Sequence, residues 1–186
     1  MSLFFILLGI ALLLILWGIA IYNKLVAKRQ MVLEGWSGID VQLKRRTDLI
    51  PNLIASVKGY MEYEKNVLEE VTAMRTRCEQ ASDGDIKSRS AAEGLLSAAL
   101  GKFFAVAKNY PDLKASNNFI ELQTALSETE DQVQLARRYY NGAVRDLNIL
   151  VESFPSNVIA HQFHFEKAEF FELENAAERA VPQVSF

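Results

Sequence analysis

The chain has 186 residues, half of them hydrophobic, with a formal net charge of −3 and a single cysteine. Such a charge excludes a nucleic-acid partner, because those binders usually carry a basic face. One cysteine excludes an intrachain disulfide and a multi-cysteine metal site. Nine Gly and four Pro are few helix breakers, a composition typical of a helical chain.

The first predicted element is an apolar helix over residues 3–22, LFFILLGIALLLILWGIAIY, which contains no charge. At about 1.5 Å per residue it spans roughly 30 Å, the thickness of a bilayer's hydrocarbon core. Leu3 and Phe4 begin this span, and Trp17 and Tyr22 suit an interfacial belt at its end. The alternative is a cleaved signal peptide, but no positive side chain precedes the run and no A-x-A-like site follows. We therefore predict a transmembrane anchor over residues 1–24.

Flanking charge predicts the orientation of this anchor. Only two residues precede the span, whereas Lys24, Lys28 and Arg29 follow it closely. The positive-inside rule then places the C-terminal domain in the cytoplasm.

After the anchor, apolar residues recur at alternating spacings of three and four. This seam comprises Leu25, Val32, Trp36, Ile39, Leu43, Ile50, Leu53, Val57, Tyr60, Val67, Val71, Met74 and Cys78. The charged residues Arg29, Arg46 and Glu64 fill its three remaining places. Such a repeat indicates long helices packed at a shallow angle, as in a coiled coil. Pro51 lies inside the seam without shifting it, which favours one kinked helix from the membrane to about residue 80. Two helices, with Pro51 in the first turn of the second and Asp48 as its cap, are the alternative.

Three further helices are predicted, over about 86–108, 112–152 and 156–178, separated by the turn at 82–85 and by breaks at 109–112 and 153–156. No stretch alternates with period two, so no sheet is expected. The fold class is all-α: a single N-terminal transmembrane helix, then an antiparallel four-helix bundle over 25–180, or five helices if the chain breaks at Pro51. Residues 181–186 are predicted to be an extended tail.

Charged residues within the seams need partners. Arg46 fills a seam position, and an unpaired buried charge is costly, so we expect an ion pair with Asp40, Asp48, Glu128 or Glu130. Arg137 is a candidate for the same structural polar layer, which would fix the helix register. The alternative is that these basic clusters contact acidic lipid or an acidic partner.

Two features were weighed as chemical sites. His161 and His164 are three residues apart, near Glu166 and Glu169, and could hold a metal on a helix face. A di-metal carboxylate bundle, however, needs Glu-x-x-His on two helices, and neither histidine follows a Glu by three. Cys78 lies on the core seam and is better explained as a small buried hydrophobe than as a nucleophile. We predict no enzyme activity, no catalytic residue and no cofactor.

Sequence motifs distributed along nearly the whole chain support a family resemblance. They are YNKLV at 22–26, WSGIDVQLKRR at 36–46, DLIPNL at 48–53, VKGY at 57–60, YPDLKA at 110–115, ARRYYN at 136–141, FPSN at 154–157, and the closing Pro182-x-Val184-x-Phe186. In this set the chain resembles the LemA family of bacterial membrane proteins. The resemblance implies an anchored four-helix bundle without established enzymatic activity, in an inner-membrane setting associated with membrane protein quality control.

The function expected from these observations is a membrane-anchored scaffold or adaptor. It would form homo-oligomers or bind membrane protein partners of the quality-control protease type, beside the lipid bilayer itself. The tail Val184-Ser185-Phe186 has the form of a C-terminal peptide that adds to a sheet edge, or else it packs onto a bundle. A metal-binding bundle enzyme using His161 and His164, and a membrane-shaping protein, are the alternatives.

Overall fold

The computed structural model describes residues 2–61, 63–81 and 85–172, and these form six helices and no strand. The helices are α1 Ser2–Val57, α2 Lys65–Gln80, α3 Ile86–Ala107, α4 Pro111–Lys114, α5 Asn117–Glu152 and α6 Ser156–Gln162. The all-α prediction is confirmed. The predicted tail at 181–186, with Val184, Ser185 and Phe186, lies outside the described residues.

The described chain groups into two compact units. Unit 1 contains residues 2–39 and 136–170, and unit 2 contains residues 40–135 with 171 and 172. Helices α1 and α5 each contribute to both units. This grouping follows spatial contacts, and the division of the sequence at residue 24 stays a prediction.

Unit 2 holds the larger core. Its helices alternate in direction: Arg75 of α2 reaches back to Thr47 of α1, Lys102 of α3 pairs with Glu70 of α2, and Phe119 of α5 stacks on Phe103 of α3. The buried apolar side chains of this core come from these four helices and from α4, and they include Ile50, Leu53, Val57, Val71, Leu96, Phe103, Leu113 and Leu126. At about 25 cal/mol per Å² of apolar surface removed from water, such a cluster dominates the stability of the unit.

Helix α1 passes through Pro51 without interruption and ends at Val57 rather than near residue 80. The chain leaves the helix at Lys58 and Gly59, where glycine's weak helix propensity favours a turn. Met61 is 1% exposed whereas the seam residue Tyr60 is 44% exposed. The prediction of one helix to residue 80 is therefore wrong, because the apolar register is re-established across a turn.

Two other predicted helices are shorter than expected. The helix expected over 112–152 is interrupted at Ala115 and Ser116, where buried Leu113 anchors the short α4. The last helix ends at Gln162, and residues 163–172 run without regular structure. In this segment Phe165 and Phe171 are buried, whereas Phe163 and Phe170 are 54% and 42% exposed.

The segment after α6 is attached to α5 by side-chain hydrogen bonds in unit 1. Asn148 donates from Nδ2 to the carbonyl of Ala168 at 3.0 Å, and its Oδ1 accepts from the N–H of Ala168 at 2.9 Å. Tyr140 donates its hydroxyl to the carbonyl of Glu169 at 2.8 Å. These bonds satisfy backbone groups that a helix or sheet would otherwise pair.

Candidate functional site

A buried polar layer crosses the core of unit 2 and is centred on Arg46 of α1. The side chain is 2% exposed. Its Nη1 donates to Oε2 of Glu130 on α5 at 2.8 Å, and its Nη2 donates to the hydroxyl of Ser97 on α3 at 2.6 Å. A guanidinium has donors in a fixed planar fork, so one buried residue links three helices in a defined register.

Glu93 of α3 lies in the same layer and is 1% exposed. Nε of Arg89, one turn earlier, is 3.6 Å from its Oε1, and Arg89 also donates from Nη2 to Oδ1 of Asp40 at 3.1 Å. Burial raises the pKa of Glu93, and the positive charges of Arg46 and Arg89 oppose that rise. The layer thus contains a buried carboxyl group, that of Glu93, whose charged form is disfavoured by burial.

Cys78 of α2 faces this carboxyl group and is 1% exposed. Burial, together with the neighbouring Glu93, raises the pKa of its thiol to about 12. Thiolate is the nucleophilic form of cysteine, and at neutral pH this side chain stays protonated and shielded from solvent. The arrangement is suited to packing and register rather than to chemistry on a substrate.

The sequence pattern identified Arg46 but missed Arg89 and Glu93. The signal was present, because continuing the apolar stripe of α3 backwards from Phe103 through Leu100 and Leu96 at spacings of three and four arrives at Glu93 and then Arg89. Arg137, expected in the same layer, is half-buried and belongs to unit 1.

The two histidines do not form a site on one helix face. His161 lies in the last turn of α6, whereas His164 lies beyond the helix with a φ of 55°. Both side chains are exposed, as are Glu166 and Glu169. Within residues 2–61, 63–81 and 85–172, no three His, Cys, Asp or Glu side chains converge as a metal-binding set.

An open apolar groove lies on the surface of unit 2, between the C-terminal end of α1 and the length of α2. Its volume is about 1030 Å³. Its walls include Ile54, Met61 and Leu68, with Thr72, Ala73 and Thr76 along α2 and Lys58, Lys65 and Glu69 among the charged residues that line it. Grooves of this form, apolar within and charged at the edge, accept an amphipathic helix.

The N-terminal part of α1 is apolar on every side and contacts little else in the structure. The 18 most apolar consecutive residues of this part have a mean hydropathy of 2.9, and none of them is buried. Leu3, Phe4, Trp17 and Tyr22 are 70, 66, 47 and 36% exposed. Helix α3 is also long and apolar enough to cross a membrane. However, 44% of its most apolar 18-residue stretch is buried, and its apolar side chains face the core of unit 2.

The family model described as "LemA family" matches residues 35–186. The chain belongs to the LemA family. Among curated LemA-family relatives, Magnetosome protein MamQ 2 of Paramagnetospirillum magneticum is 25% identical over 86% of this chain and 68% of its own length. Protein LemA of Metamycoplasma hominis is 25% identical over 81% of this chain and 68% of its own.

A further relative, Magnetosome protein MamQ of Magnetospirillum gryphiswaldense, is 20% identical over 88% of this chain and 70% of its own length. Family membership and the apolar part of α1 together describe a membrane-associated helical protein. Within unit 2, the enclosed layer around Arg46 and the open groove beside α2 are the features that bear on function.

Proposed function

We propose that this chain is a non-enzymatic scaffold anchored in the bacterial inner membrane by residues 3–22, with its bundle in the cytoplasm. Through that bundle it assembles with copies of itself or with membrane protein partners of the quality-control type. The observation that carries the proposal is the groove between α1 and α2, an apolar concavity of about 1030 Å³ that has the form of a helix receptor.

The reactive groups of unit 2 support binding over catalysis. Cys78 and Glu93 are each 1% exposed, so neither meets a substrate from solvent. Two threonines line the groove, and the hydroxyls of Thr72 and Thr76 donate to backbone carbonyls of α2. A metal-dependent bundle enzyme is less well supported, since His161 and His164 are not on a shared helix face.

The test compares two substitutions on the exposed surface of α2. Ala73 lines the groove, whereas Asn66 is exposed on the same helix and does not line it. Ala73→Arg places a long charged side chain in the groove, and Asn66→Arg is the matched control, since arginine is a good helix former at both positions. Two differently tagged full-length copies are co-expressed, extracted in mild detergent and purified through one tag.

We expect the second copy to be recovered with the unmodified chain and with Asn66→Arg, and to be lost with Ala73→Arg. A photo-crosslinking residue at Thr76, with Asn66 again as control, extends the test to other membrane proteins. A monomer in every preparation, with no protein crosslinked at Thr76 in intact membranes, would contradict the proposal.

The cytoplasmic placement of the bundle has its own test. Thr76 is exposed and the native thiol of Cys78 is buried, so Thr76→Cys provides one accessible cysteine. A membrane-impermeant maleimide should label it only after the inner membrane is broken. Labelling in spheroplasts with an intact membrane would place the bundle on the opposite side.

A further inference from the structure

Three exposed apolar side chains cluster around α6 in unit 1. Phe154 is 82% exposed, Val158 59% and Phe163 54%, over a stretch of only ten residues. Soluble surfaces tolerate single exposed apolar residues, but three within ten residues, two of them phenylalanines, indicate a contact beyond the chain itself. The surroundings of these three side chains depend on where α6 lies along α1.

Helix α6 packs against the end of the apolar span of α1. Ile159 of α6 packs beside Gly18, where its Cδ1 would lie 3.8 Å from a Cβ added to the glycine. The Phe163 ring is 4.8 Å from the Tyr22 ring between centroids. An apolar cleft of about 510 Å³ separates the two elements, and the residues that line it are Leu14, Ile15, Gly18, Ile19, Tyr22, Ile159 and Phe163.

The rise of an α-helix gives the depth at which α6 contacts α1 in the bilayer. Gly18 lies four residues before Tyr22, about 6 Å deeper along the axis of the apolar span. If residues 3–22 cross the bilayer, a side chain packed on Gly18 lies at the edge of the hydrocarbon core. Phe154 and Val158, on the same short segment, then face acyl chains and glycerol groups rather than water.

Basic side chains follow the apolar span in unit 1. Arg29 lies two turns beyond Tyr22, with its guanidinium carbon 5.0 Å from the centroid of the Phe165 ring. Lys24, His161 and His164 are exposed in the same unit. Basic side chains beside an apolar wedge suit the interface of an anionic leaflet.

The segment is held in place by its own hydrogen bonds. Ser156 donates its hydroxyl to the carbonyl of Ser153 at 3.0 Å, the N–H of Asn157 donates to the same carbonyl at 2.8 Å, and Phe165 donates its N–H to Ala160 at 2.9 Å. These bonds satisfy backbone groups that would be costly to expose near lipid. An ordered turn with internal hydrogen bonds and exposed apolar side chains is a form that can enter a membrane interface.

We propose that residues 154–163 are a second membrane contact, a lipid-facing wedge that inserts into the phospholipid interface beside the anchor. The occupant of the exposed face is bilayer lipid, because the segment is continuous with the apolar surface of α1 at Gly18 and Tyr22. This inference rests on the anchoring part of the proposed function, and it adds a lipid-binding surface that the anchor alone does not require.

Site-directed spin labelling of the full chain in anionic phospholipid nanodiscs tests the wedge. Single cysteines replace Phe154 and Val158, Ile19 serves as the lipid reference, and Leu33 is the aqueous control. Leu33 is apolar and 56% exposed, eleven residues or about 16 Å beyond Tyr22 on the same helix. The unsubstituted chain reports any background label at buried Cys78.

Collision of each label with oxygen and with a water-soluble nickel chelate gives its depth. We expect labels at 154 and 158 to lose nickel accessibility and gain oxygen accessibility relative to Leu33, approaching the values at Ile19. Nickel accessibility equal to that at Leu33 would overturn the wedge while leaving the anchor intact. Exclusion of both reagents would also overturn it, because protein would then cover the face. Nickel access at Ile19 as well would remove the anchor and the proposed function together.

Discussion

The carbonyl oxygen of Thr47 accepts a hydrogen bond from Nε of Arg75 at 3.1 Å. Thr47 lies four residues before Pro51, which has no N–H to donate to this oxygen. A guanidinium from α2 therefore replaces the helical hydrogen bond that the proline removes from α1. Thr47 is 5% exposed, so water could not readily take over this role.

A double-mutant cycle measures this replacement. Arg75→Ala should destabilise the protein by about 1–2 kcal/mol, because a buried carbonyl loses its donor. In a Pro51→Ala background the backbone N–H is restored, so the same substitution should cost less. Glu79→Ala is the control, since it removes the surface partner of Arg75 without touching the bond to Thr47. Thermal unfolding of the full chain in mild detergent, followed by far-UV circular dichroism, gives the four stabilities, and equal effects in both backgrounds would contradict the argument.

The Pro51 region shows what a periodic pattern can and cannot predict. Continuity of α1 through the proline was readable, because the seam kept its register from Ile50 to Val57. The end of the helix was not, since Tyr60 and Glu64 also fitted the repeat. Burial of Met61 in place of Tyr60 depends on how α2 turns back against α1, which is a tertiary relationship rather than a local one.

Removing the acidic partner of Arg46 should be strongly destabilising. Glu130→Gln keeps the shape and an acceptor oxygen, but leaves the 2%-exposed guanidinium without its carboxylate. We expect a loss of about 2–4 kcal/mol, below the ~3–5 kcal/mol typical of a fully buried ion pair, because the Glu130 side chain is 39% exposed. Asp48→Asn breaks the exposed pair with Lys44 and should change stability by less than about 1 kcal/mol. The two values come from urea unfolding under the same conditions, and similar losses would contradict a buried role for Arg46.

Glu93 should make the protein less stable as the pH rises, because its pKa is raised rather than lowered in the folded state. Its pKa is raised in the folded state, so the folded chain holds the proton more tightly than the unfolded chain. The stabilising contribution is full below the ordinary pKa near 4.5 and is lost as pH rises through the raised value. Glu93→Gln removes this dependence. The melting temperature of the variant minus that of the parent chain should therefore increase between pH 4 and pH 7. A constant difference across this range would contradict the raised pKa.

The polar layer was only partly predictable. Arg46 stood out as a charge on a seam, and Glu130 was one of four named partners. Arg89 and Glu93 continue the stripe of α3, but α3 begins close to a turn, where charged residues are usually solvated. Their burial follows from Asp40 of α1 pairing with Arg89, a contact that no local pattern encodes.

Gly35 allows a close approach of α1 and α5 within unit 1. A Cβ at this position would lie 3.0 Å from Cα of Tyr140 and 3.1 Å from a ring carbon of Tyr139. Gly35→Val should therefore force the helices apart and cost about 1–3 kcal/mol. Gly38→Ala, in the same helix with open space around it, should instead stabilise by about 0.5–1 kcal/mol through helix propensity. Thermal unfolding separates the two signs, and a stabilising Gly35→Val would refute the close contact.

The continuity of α1 beyond the anchor predicts where a protease cuts first. Lys24, Lys28 and Arg29 lie inside the helix, and Nζ of Lys28 forms an ion pair with Asp146 of α5 at 3.0 Å. Lys58 is exposed and lies just after the helix ends. Trypsin needs an extended backbone in its active site, so it requires local unfolding within α1 but little at the turn. Limited digestion in detergent, with fragments identified by mass spectrometry, should therefore show cleavage after Lys58 before any cleavage at residues 24–29. Early cleavage at 24–29 would mean that a loose linker, rather than a continuous helix, follows the membrane span.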